Sequence, residues 1–388
     1  MLKAGIYDPY LDTLGGGERY ILTVAEVLLK QGYQVDLFWD GDQSLLTKAK
    51  EHFSLNLDGL NFTPDIFGLI PKSIDLVEDN EALTKLAKNS QTKTSFMKKL
   101  KKIINNLQIT KRYDLFFYLS DGSLPLLFSK HNLLHAQVPF NFKPNFRDKI
   151  FNYFKILQFK EIICNSKFTA RIIDSLYGKH SLVIYPPVDI DKFSKSNQKN
   201  IILSVGRFDN VMNAKKQDVL IEAFSKLLIT NPQWKLVLAG GSLENPNKNS
   251  YLKHLKFISQ NLPVEFVINP PFSELQTLYS QSKIYWHAAG FGVDQNLHPE
   301  ETEHFGITVA EAMASGLVPL VANRGGLPEI ITDNHNGFLW ESIDDLIAKT
   351  KLLIATPKMY AEFSQNALES VALFSKAEFS RQFLKLLS

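Results

Sequence analysis

Cysteine is almost absent from this sequence, since Cys164 is the single cysteine among 388 residues. One cysteine excludes a disulfide within the chain and a metal cluster held by several thiolates, and it favours a reducing compartment. No apolar run reaches the roughly 18 residues of a transmembrane helix, and the N-terminus lacks the basic and then apolar pattern of a secretory signal. The sequence therefore predicts a cytoplasmic protein.

A large charge imbalance and internal repeats are missing as well. With 43 basic and 40 acidic side chains, the formal net charge of +3 is too small to indicate a nucleic-acid-binding protein. We find no repeat with a period of about 20–50 residues, which argues against a solenoid. The length, with 45% hydrophobic and 21% charged residues, therefore predicts a globular protein of two domains, each of about 180–200 residues.

The first half opens with the pattern of a parallel α/β domain. A strand at 3–7, a helix at 20–31 and a second strand around 35–38 are predicted, with Gly15, Gly16 and Gly17 in the turn between the first strand and the helix. The chain is predicted to end in helical segments at roughly 343–355, 357–372 and 376–387. Adjacent glycines let backbone N–H groups approach an anion at a helix N-terminus. A dinucleotide-binding pattern would need glycine or alanine where Tyr20 stands, so an NAD-dependent dehydrogenase is disfavoured.

The stretch 298–331 carries the densest chemical signal. Its helical run, 307–315, is apolar or small on nearly every side, which predicts a buried helix, yet Glu311 lies in its middle. A buried carboxylate needs hydrogen-bond donors, and ligand hydroxyls would supply them. Glu303, with seven residues between it and Glu311, precedes the helix beside N–H groups that a first turn leaves unpaired. The stretch therefore predicts a nucleotide-sugar site.

A structural interpretation of the same residues stays open. Two glutamates at this spacing occur by chance, and a core arginine would explain Glu311 equally well. The context favours a function, because His304, Phe305 and Gly306 precede a small-residue helix and a Gly-Gly-x-Pro-Glu turn ends at Glu329.

Two cations flank a predicted loop of the second half. Arg207 follows the predicted strand 200–205, and Lys216 stands at the start of the next predicted helix. Arginine offers a forked contact and lysine a point charge, so the pair predicts a diphosphate held from two sides. Lys215 is interpreted as a solvent-exposed neighbour.

The apolar strand 133–136 delivers His135 to its carboxyl end, which is where ligands gather in α/β sheets. A purely structural role for this histidine stays open. Ser166 is predicted to cap the helix that follows it. Pro186 and Pro187 stiffen the chain, and an interdomain linker is predicted at 186–196.

These motifs, in this order through nearly the whole chain, resemble the family 4 glycosyltransferases, the retaining enzymes of the GT-B fold. The sequence EHFGI at 303–307 resembles most the mannosyltransferases that extend lipid-linked oligosaccharides from GDP-mannose. The resemblance implies two Rossmann-like, doubly wound α/β domains facing a central cleft. They are an acceptor-side domain at 1–186 and a nucleotide-sugar-binding domain at 187–372, with a C-terminal helix, 373–388, that crosses back onto the first domain.

The resemblance also implies roles for individual residues. Arg207 and Lys216 would clamp the diphosphate, Glu303 would bind the sugar, and Glu311 the ribose. His135 would contact the transferred sugar or the acceptor. The remaining donor-binding residues would be Gly16, Gly17, Phe305, Gly306 and Ile307. Configuration would be retained, with no cofactor beyond the donor and no metal ion, since the cations and N–H groups would neutralise the diphosphate.

Two segments suggest a membrane partner. Residues 84–113 contain nine Lys and Arg residues and no acid, and residues 140–159 interleave aromatic with basic side chains. Such segments are candidates for peripheral contact with the anionic inner face of the cell membrane. An alternative, in which the aromatic residues are core and the lysines a solvated face, stays open.

The donor and the acceptor are not settled by these motifs. Enzymes that use UDP-glucose or UDP-GlcNAc share most of them, and the acceptor is either a soluble or a polyprenyl-linked glycan. A sugar-nucleotide epimerase and a non-catalytic sugar-nucleotide-binding subunit are the other classes. Two-carboxylate glycosidase chemistry is disfavoured, because Glu311 would be occupied by the nucleoside. No nucleic-acid partner is expected.

Overall fold

The computed structural model describes residues 1–13, 15–68, 96–120, 122–140, 146–209, 214–242 and 248–387. The chain forms two compact units. The first contains Met1–Ala136, Pro144–Ile163 and Tyr177–Leu182, and the second contains Gln137–Lys143, Cys164–Leu176 and Val183–Ser388. The predicted boundary at 186 lies close to the last crossing at 183, but two short segments from the first half of the sequence pack with the second unit.

Seven strands form the first sheet. They are β1 (Lys3–Tyr7), β2 (Gln34–Phe38), β3 (Leu60–Thr63), β4 (Leu115–Leu119), β5 (His131–Ala136), β6 (Phe159–Cys164) and β7 (Leu182–Val183). Their order is β3-β2-β1-β4-β5-β6-β7, and the pairs from β3 to β5 are parallel. Every residue of β4 is buried, as expected of a parallel strand covered by helices on both faces.

The described residues of this half of the chain form five helices. They are α1 (Gly16–Lys30), α2 (Leu45–Phe53), α3 (Phe96–Thr110), α4 (Phe146–Leu157) and α5 (Lys167–Tyr177), with a 3-10 turn at Leu11–Thr13. Helix α1 is buried without interruption from Glu18 to Leu28. The predicted cap of α5 is confirmed, because the Thr169 N–H donates to Ser166 Oγ at 3.0 Å.

The second sheet has six strands. They are β8 (Ile201–Val205), β9 (Lys235–Gly240), β10 (Val264–Ile268), β11 (Ile284–His287), β12 (Val318–Ala322) and β13 (Phe338–Trp340). The order is β10-β9-β8-β11-β12-β13, and every neighbouring pair is parallel. The strand order reverses between β8 and β11, which is the switch point of a doubly wound sheet.

Helices cover both faces of the second sheet. They are α6 (Gln217–Leu228), α7 (Ser250–Ile258), α8 (Phe272–Gln281), α9 (Ile307–Ala314), α10 (Leu327–Ile330), α11 (Ile343–Ala355), α12 (Pro357–Ser370) and α13 (Lys376–Leu387), with 3-10 turns at Ile190–Lys192, Pro299–Glu301 and Val371–Phe374. Two apolar clusters result. Along β11, Trp286 packs into one cluster and Tyr285 into the other, as the alternation of a strand requires.

The predicted doubly wound α/β architecture is confirmed in each unit. The strand predicted at 3–7 and the helices predicted at 343–355 and 376–387 have the bounds observed. The first helix was predicted to start at Tyr20 and instead starts at Gly16, because the glycines form its first turn. Helix α13 belongs to the second unit, and its crossing onto the first domain stays a prediction.

Residues 84–95 of the basic segment predicted at 84–113 lie outside the described residues, which resume at Phe96. Among the helices that the structure describes, none combines the length and the apolar character needed to cross a bilayer.

Trp286 and Trp340 provide a matched test of this core. Both are fully buried in the same cluster. Trp286 Nε1 donates to Thr350 Oγ1 at 3.1 Å, whereas Trp340 Nε1 donates to no residue that the structure describes. We expect Trp286→Phe to lower the free energy of unfolding by about 1–2 kcal/mol more than Trp340→Phe, because only the first loses a hydrogen bond. Urea unfolding measures the difference, and equal losses would contradict it.

Candidate active site

Several of the predicted site residues lie near the switch point of the second sheet. Parallel strands β8 and β11 are neighbours, and their connections leave on opposite faces of the sheet, which opens a crevice at the carboxyl ends. Strand β8 continues into Gly206 and Arg207, and β11 ends at His287. The predicted Arg207 therefore lies at the edge where a ligand is expected.

A buried cluster of Lys215, Glu303 and His287 lies at this edge. Glu303 Oε2 accepts hydrogen bonds from Lys215 Nζ at 2.7 Å and from His287 Nε2 at 2.9 Å. The imidazole is 1% exposed, and the side chains of Glu303 and Lys215 are 11% and 17% exposed. The three residues come from the loop before α9, the end of β11 and the loop before α6, so the fold and not local sequence assembles them.

The cluster keeps Glu303 negative and His287 neutral. Burial raises the pKa of Glu303, but the charge of Lys215 and the hydrogen bond from His287 outweigh burial and hold that pKa well below its usual value. Burial lowers the pKa of His287, and Glu303 offsets this only in part. A neutral imidazole donates to Glu303 only if its proton is on Nε2, so the carboxylate fixes the tautomer.

Helix α9 presents unpaired N–H groups beside Glu303. Val309 and Ala310 donate to the carbonyl of Gly306, whereas the N–H groups of Gly306, Ile307 and Thr308 donate to no residue that the structure describes. Gly306 has a φ of 114°, and an added Cβ would lie 2.9 Å from a Leu327 methyl, so the position requires glycine. An anion at this helix N-terminus would meet three donors and the positive end of the helix dipole.

The turn at Gly325 and Gly326 packs against the backbone of Glu303. The Gly326 N–H donates to the Glu303 carbonyl at 2.8 Å, and the Gly325 N–H donates to Gln295 Oε1 at 2.9 Å. Gly325 has a φ of 60°, and a Cβ there would lie 2.1 Å from the Glu303 carbonyl oxygen. The Gly-Gly-x-Pro-Glu turn therefore sets the backbone position of the carboxylate.

Glu311 is buried within α9 as predicted, with 4% of its surface exposed. Its Oε2 accepts a hydrogen bond from the Tyr279 hydroxyl at 3.1 Å. One helical turn earlier, the Tyr285 hydroxyl lies 2.8 Å from Thr308 Oγ1. Tyrosine hydroxyls thus line the side of α9 on which the carboxylate lies.

The predicted clamp lysine, Lys216, lies apart from the Lys215–Glu303–His287 cluster. Lys216 has a left-handed backbone, with a φ of 52°, and lines a separate cavity of about 410 Å³ with Tyr251 and His254. Lys215, interpreted from sequence as solvent-exposed, reaches Glu303 instead. Arg207 keeps its predicted place, with a guanidinium 52% exposed and Nε 3.5 Å from a carboxylate oxygen of Asp209.

Two further residues are placed differently from their predicted roles. Phe305 was predicted to bind the donor, but its ring is 3% exposed and packs on Tyr185 and Phe374. His135 was predicted to contact substrate, but it is completely buried and stacks on Tyr20, with ring centroids 4.0 Å apart. Its Nδ1 lies 3.1 Å from a backbone carbonyl oxygen of β6. Both rings serve the core in this structure.

The first unit has its own cluster at the end of β1. Glu18 turns back and accepts a hydrogen bond from the Gly15 N–H at 2.6 Å, so it caps α1 at the predicted glycines Gly16 and Gly17. Asp8 is fully buried there. Burial, and then the charge of Glu18, raises the pKa of Asp8 well above its ordinary value.

Glu329 holds helix α5 within the second unit. Its carboxylate accepts hydrogen bonds from the N–H groups of Lys167 and Phe168, at 2.8 and 2.7 Å, and from the Tyr185 hydroxyl at 3.1 Å. A cavity of about 640 Å³ opens beside this contact, and its charged lining includes Arg171 and Arg324. An acid of the protein itself thus takes the anion position at the N-terminus of α5.

Within the described ranges, one group of potential metal ligands lies near this site: His298, Glu300 and Glu301, on the loop before Glu303. The sequence contains Asp-x-Asp triplets at 40–42 and 189–191. Asp42 bonds to Ser44 and Asp189 pairs with Lys192. The predicted metal independence stays a prediction.

Three residues that make these contacts carry no clear signal in the sequence. His287 ends an apolar strand, and nothing in the sequence indicates its bond to Glu303. Lys215 and Lys216 are adjacent and identical in type, and only the left-handed backbone at Lys216 separates the directions of their side chains. Glu329 was seen as part of a turn, and its capping of α5 spans 161 residues along the chain.

Two family models match the chain in succession. One described as "Glycosyltransferase Family 4" matches residues 14–192, and one described as "Glycosyl transferases group 1" matches residues 187–370. Their junction falls within the predicted linker.

Curated relatives include GDP-Man:Man(3)GlcNAc(2)-PP-Dol alpha-1,2-mannosyltransferases. The Xenopus laevis protein is 33% identical over 244 residues, and the human protein is 34% identical over 247 residues. Each match covers 58% of this chain and 47% of the relative, so the chain spans about half the length of these relatives. An uncharacterized glycosyltransferase of Haemophilus influenzae is 26% identical, over 95% of this chain and 94% of that protein.

Solved structures share the fold along the whole chain. A glycosyltransferase from Rickettsia africae matches with a TM-score of 0.70 and 19% identity, covering 99% of this chain and 97% of the other. An Anabaena protein crystallised with UDP and glucose matches with a TM-score of 0.66 and 17% identity, covering 100% and 99%.

Gly325 and Gly178 provide a matched test of the turn behind Glu303. Both have a left-handed backbone, with φ of 60° and 65°, but a Cβ at Gly178 would meet nothing within 4 Å. Both alanine variants share the conformational strain, and Gly325→Ala adds a steric clash. We expect it to lower the free energy of unfolding by about 1–3 kcal/mol more than Gly178→Ala. Urea unfolding measures both, and matching losses would refute the close contact.

His135 predicts a loss of stability in acid. Burial lowers the pKa of His135 to about 3, against about 6.5 in an unfolded chain. As the pH falls below 6.5, His135 takes up a proton in the unfolded state but stays neutral in the folded state. The contribution of the neutral His135 to the free energy of unfolding is therefore fully present above pH 6.5, and it is lost as the pH falls from 6.5 to about 3. We expect His135→Gln to reduce the slope of unfolding free energy between pH 6 and 4.5 by about 1 kcal/mol per pH unit.

Urea unfolding across this pH range provides the measurement. His254→Gln, at an exposed position, controls for the loss of one imidazole. A His135→Gln slope equal to that of the control would show that His135 takes up its proton in the folded state.

Proposed function

Because the chain belongs to the glycosyltransferase families matched over residues 14–370, we propose that it is a retaining, metal-independent hexosyltransferase. It moves mannose from GDP-mannose to a polyprenyl-linked glycan. The fold class, the two-unit α/β architecture of GT-B enzymes, is shared with the solved glycosyltransferase structures. The donor is inferred from relatives that use GDP-mannose by name.

The observation that carries the proposal is the buried Lys215–Glu303–His287 cluster beside the open N-terminus of α9. A sugar nucleotide has an anionic diphosphate joined to a hydroxylated ring. The cation and the N–H groups suit the diphosphate, and the carboxylate suits the ring. Both halves of the donor therefore find complementary groups at one switch point.

Charge development during transfer explains the arrangement. As the sugar leaves, negative charge grows on the β-phosphate oxygen and positive charge on the anomeric carbon. Lys215, with Arg207 and the α9 N–H groups, stabilises the leaving diphosphate. Glu303, held as a carboxylate, binds sugar hydroxyls and stabilises the positive anomeric centre.

His287 acts through Glu303. Its Nε2–H donates to Oε2 of Glu303, which is the same carboxylate oxygen to which Lys215 donates. The other oxygen, Oε1, bonds to no described residue and is left for a sugar hydroxyl. Glu311, deeper in α9, binds the ribose hydroxyls, which requires its bond to Tyr279 to be shared or exchanged.

Retention follows if the acceptor attacks from the face that the diphosphate leaves, and the leaving phosphate takes the acceptor proton. The bond from the anomeric carbon to the phosphate oxygen breaks, and a bond to the acceptor oxygen forms. The acceptor class proposed, a polyprenyl-linked glycan, places the enzyme peripherally on the cytoplasmic face of a membrane. A role for His135 at the acceptor requires its Nε2 to be uncovered from Tyr20.

Donor selectivity can be measured without knowing the acceptor. In a thermal-shift panel of GDP, UDP and ADP with their sugars, GDP and GDP-mannose are expected to raise the melting temperature most, because a ligand that binds the folded state stabilises it by mass action. A larger shift with UDP would replace mannose by a UDP-sugar as the proposed donor. No shift with any nucleotide would remove the donor site.

Neighbouring lysines give a matched test of the clamp. We expect Lys215→Ala to lower kcat/KM for sugar transfer at least tenfold, equivalent to about 1.4 kcal/mol of transition-state stabilisation, and Arg207→Ala to act similarly. Lys216→Ala should stay within about threefold of the unmodified enzyme, because its side chain lies in another cavity. If Lys216→Ala were the damaging change, Lys216 would regain the clamp role.

A further inference from the structure

Helix α4 of the first unit exposes an apolar face. Five of its apolar residues are 43–66% exposed: Ile150, Phe151, Tyr153, Phe154 and Leu157. They stand at positions i, i+1, i+3, i+4 and i+7, which is one side of an α-helix. Ile156 on the opposite side is 1% exposed and packs inward. A helix on a water-exposed surface normally has the reverse pattern, so this face is built for a partner.

The exposed apolar surface continues toward α3. Ile103, Ile104 and Leu107 of that helix are 37–44% exposed. The C-terminal ends of α3 and α4 bind consecutive residues of one loop, because the Leu127 N–H donates to Gln158 Oε1 at 2.7 Å and the Phe128 N–H to Thr110 Oγ1 at 2.9 Å. Phe128 itself is 37% exposed. The two helices therefore end side by side.

Positive charge is concentrated in the same two segments. Residues 84–113 and 140–160 contain 14 of the 43 Lys and Arg residues but one of the 40 Asp and Glu residues, so they carry +13 and the rest of the chain −10. Lys149 and Lys160 are exposed at α4 and just beyond it. A second copy of this chain would bring like charges together on this face, whereas an anionic bilayer would complement them.

We propose that the apolar face of α4 inserts into the interfacial layer of an anionic lipid bilayer, with the exposed Lys149 and Lys160 at the head groups. Apolar side chains of an interfacial helix enter the acyl boundary while cations contact the anionic lipid. Tyr153 supplies the aromatic and polar character that favours this depth. A lipid-linked acceptor would explain why the protein binds a membrane, and that explanation rests on the proposed function. The inference that the apolar face of α4 binds lipid does not rest on it.

Flotation with lipid vesicles tests the insertion directly. The intact protein is expected to bind vesicles of phosphatidylcholine mixed with phosphatidylglycerol and to bind pure phosphatidylcholine vesicles weakly. Phe151→Ser combined with Phe154→Ser should lower partition onto the mixed vesicles at least tenfold. The control, Phe257→Ser combined with Leu373→Ser, removes side chains that are 68% and 63% exposed in the second unit and should change partition less than about twofold.

Other outcomes overturn the inference in distinct ways. An equal loss of vesicle partition in the two double variants would mean that any exposed apolar residue contributes to lipid binding, and that the face of α4 has no special role. A protein that binds no vesicles, and is a dimer that Phe151→Ser with Phe154→Ser makes monomeric, would assign the face to a second copy. Equal binding to neutral and mixed vesicles would remove the role of charge. The vesicle assay contains no nucleotide, so its result is independent of the donor panel.

Discussion

The second unit depends on keeping one carboxylate charged where little water reaches it. A buried glutamate without donors would cost several kcal/mol or take up a proton. Here Glu303 is satisfied by an ammonium and an imidazole on the same oxygen. Strand β11 delivers the imidazole, the loop before α6 delivers the ammonium, and the Gly325–Gly326 turn positions the carboxylate. The fold thus brings together four segments that are distant in sequence.

The architecture was predictable because its signals are local. Buried parallel strands read as short apolar runs, and helices as amphipathic or small-residue runs, so β1, α11 and α13 were predicted with the bounds observed. The positions of Glu303, in the loop before α9, and of Glu311, buried within α9, were also predictable from the sequence. Burying a carboxylate inside an apolar helix costs free energy in any fold, so such a residue can be recognised as unusual from the sequence alone.

The identity of the neighbours was not predictable, because it depends on backbone direction and on long-range packing. Lys215 and Lys216 are chemically identical, and a left-handed φ at Lys216 decides which one faces Glu303. His287 ends an apolar strand and contacts Glu303, whereas Phe305, which was predicted to bind the donor, packs into the core. Neither outcome follows from hydrophobic pattern.

Glu329 has a consequence for dividing the chain. Residues 164–176 precede the linker, yet their helix receives its N-terminal cap from a carboxylate 161 residues further along. A fragment cut at the linker would leave this helix with two uncapped amides and leave Glu329 without those donors. Hybrids that combine the first unit of one relative with the second unit of another should therefore carry 164–176 with the second unit, or exchange residue 329 together with that segment.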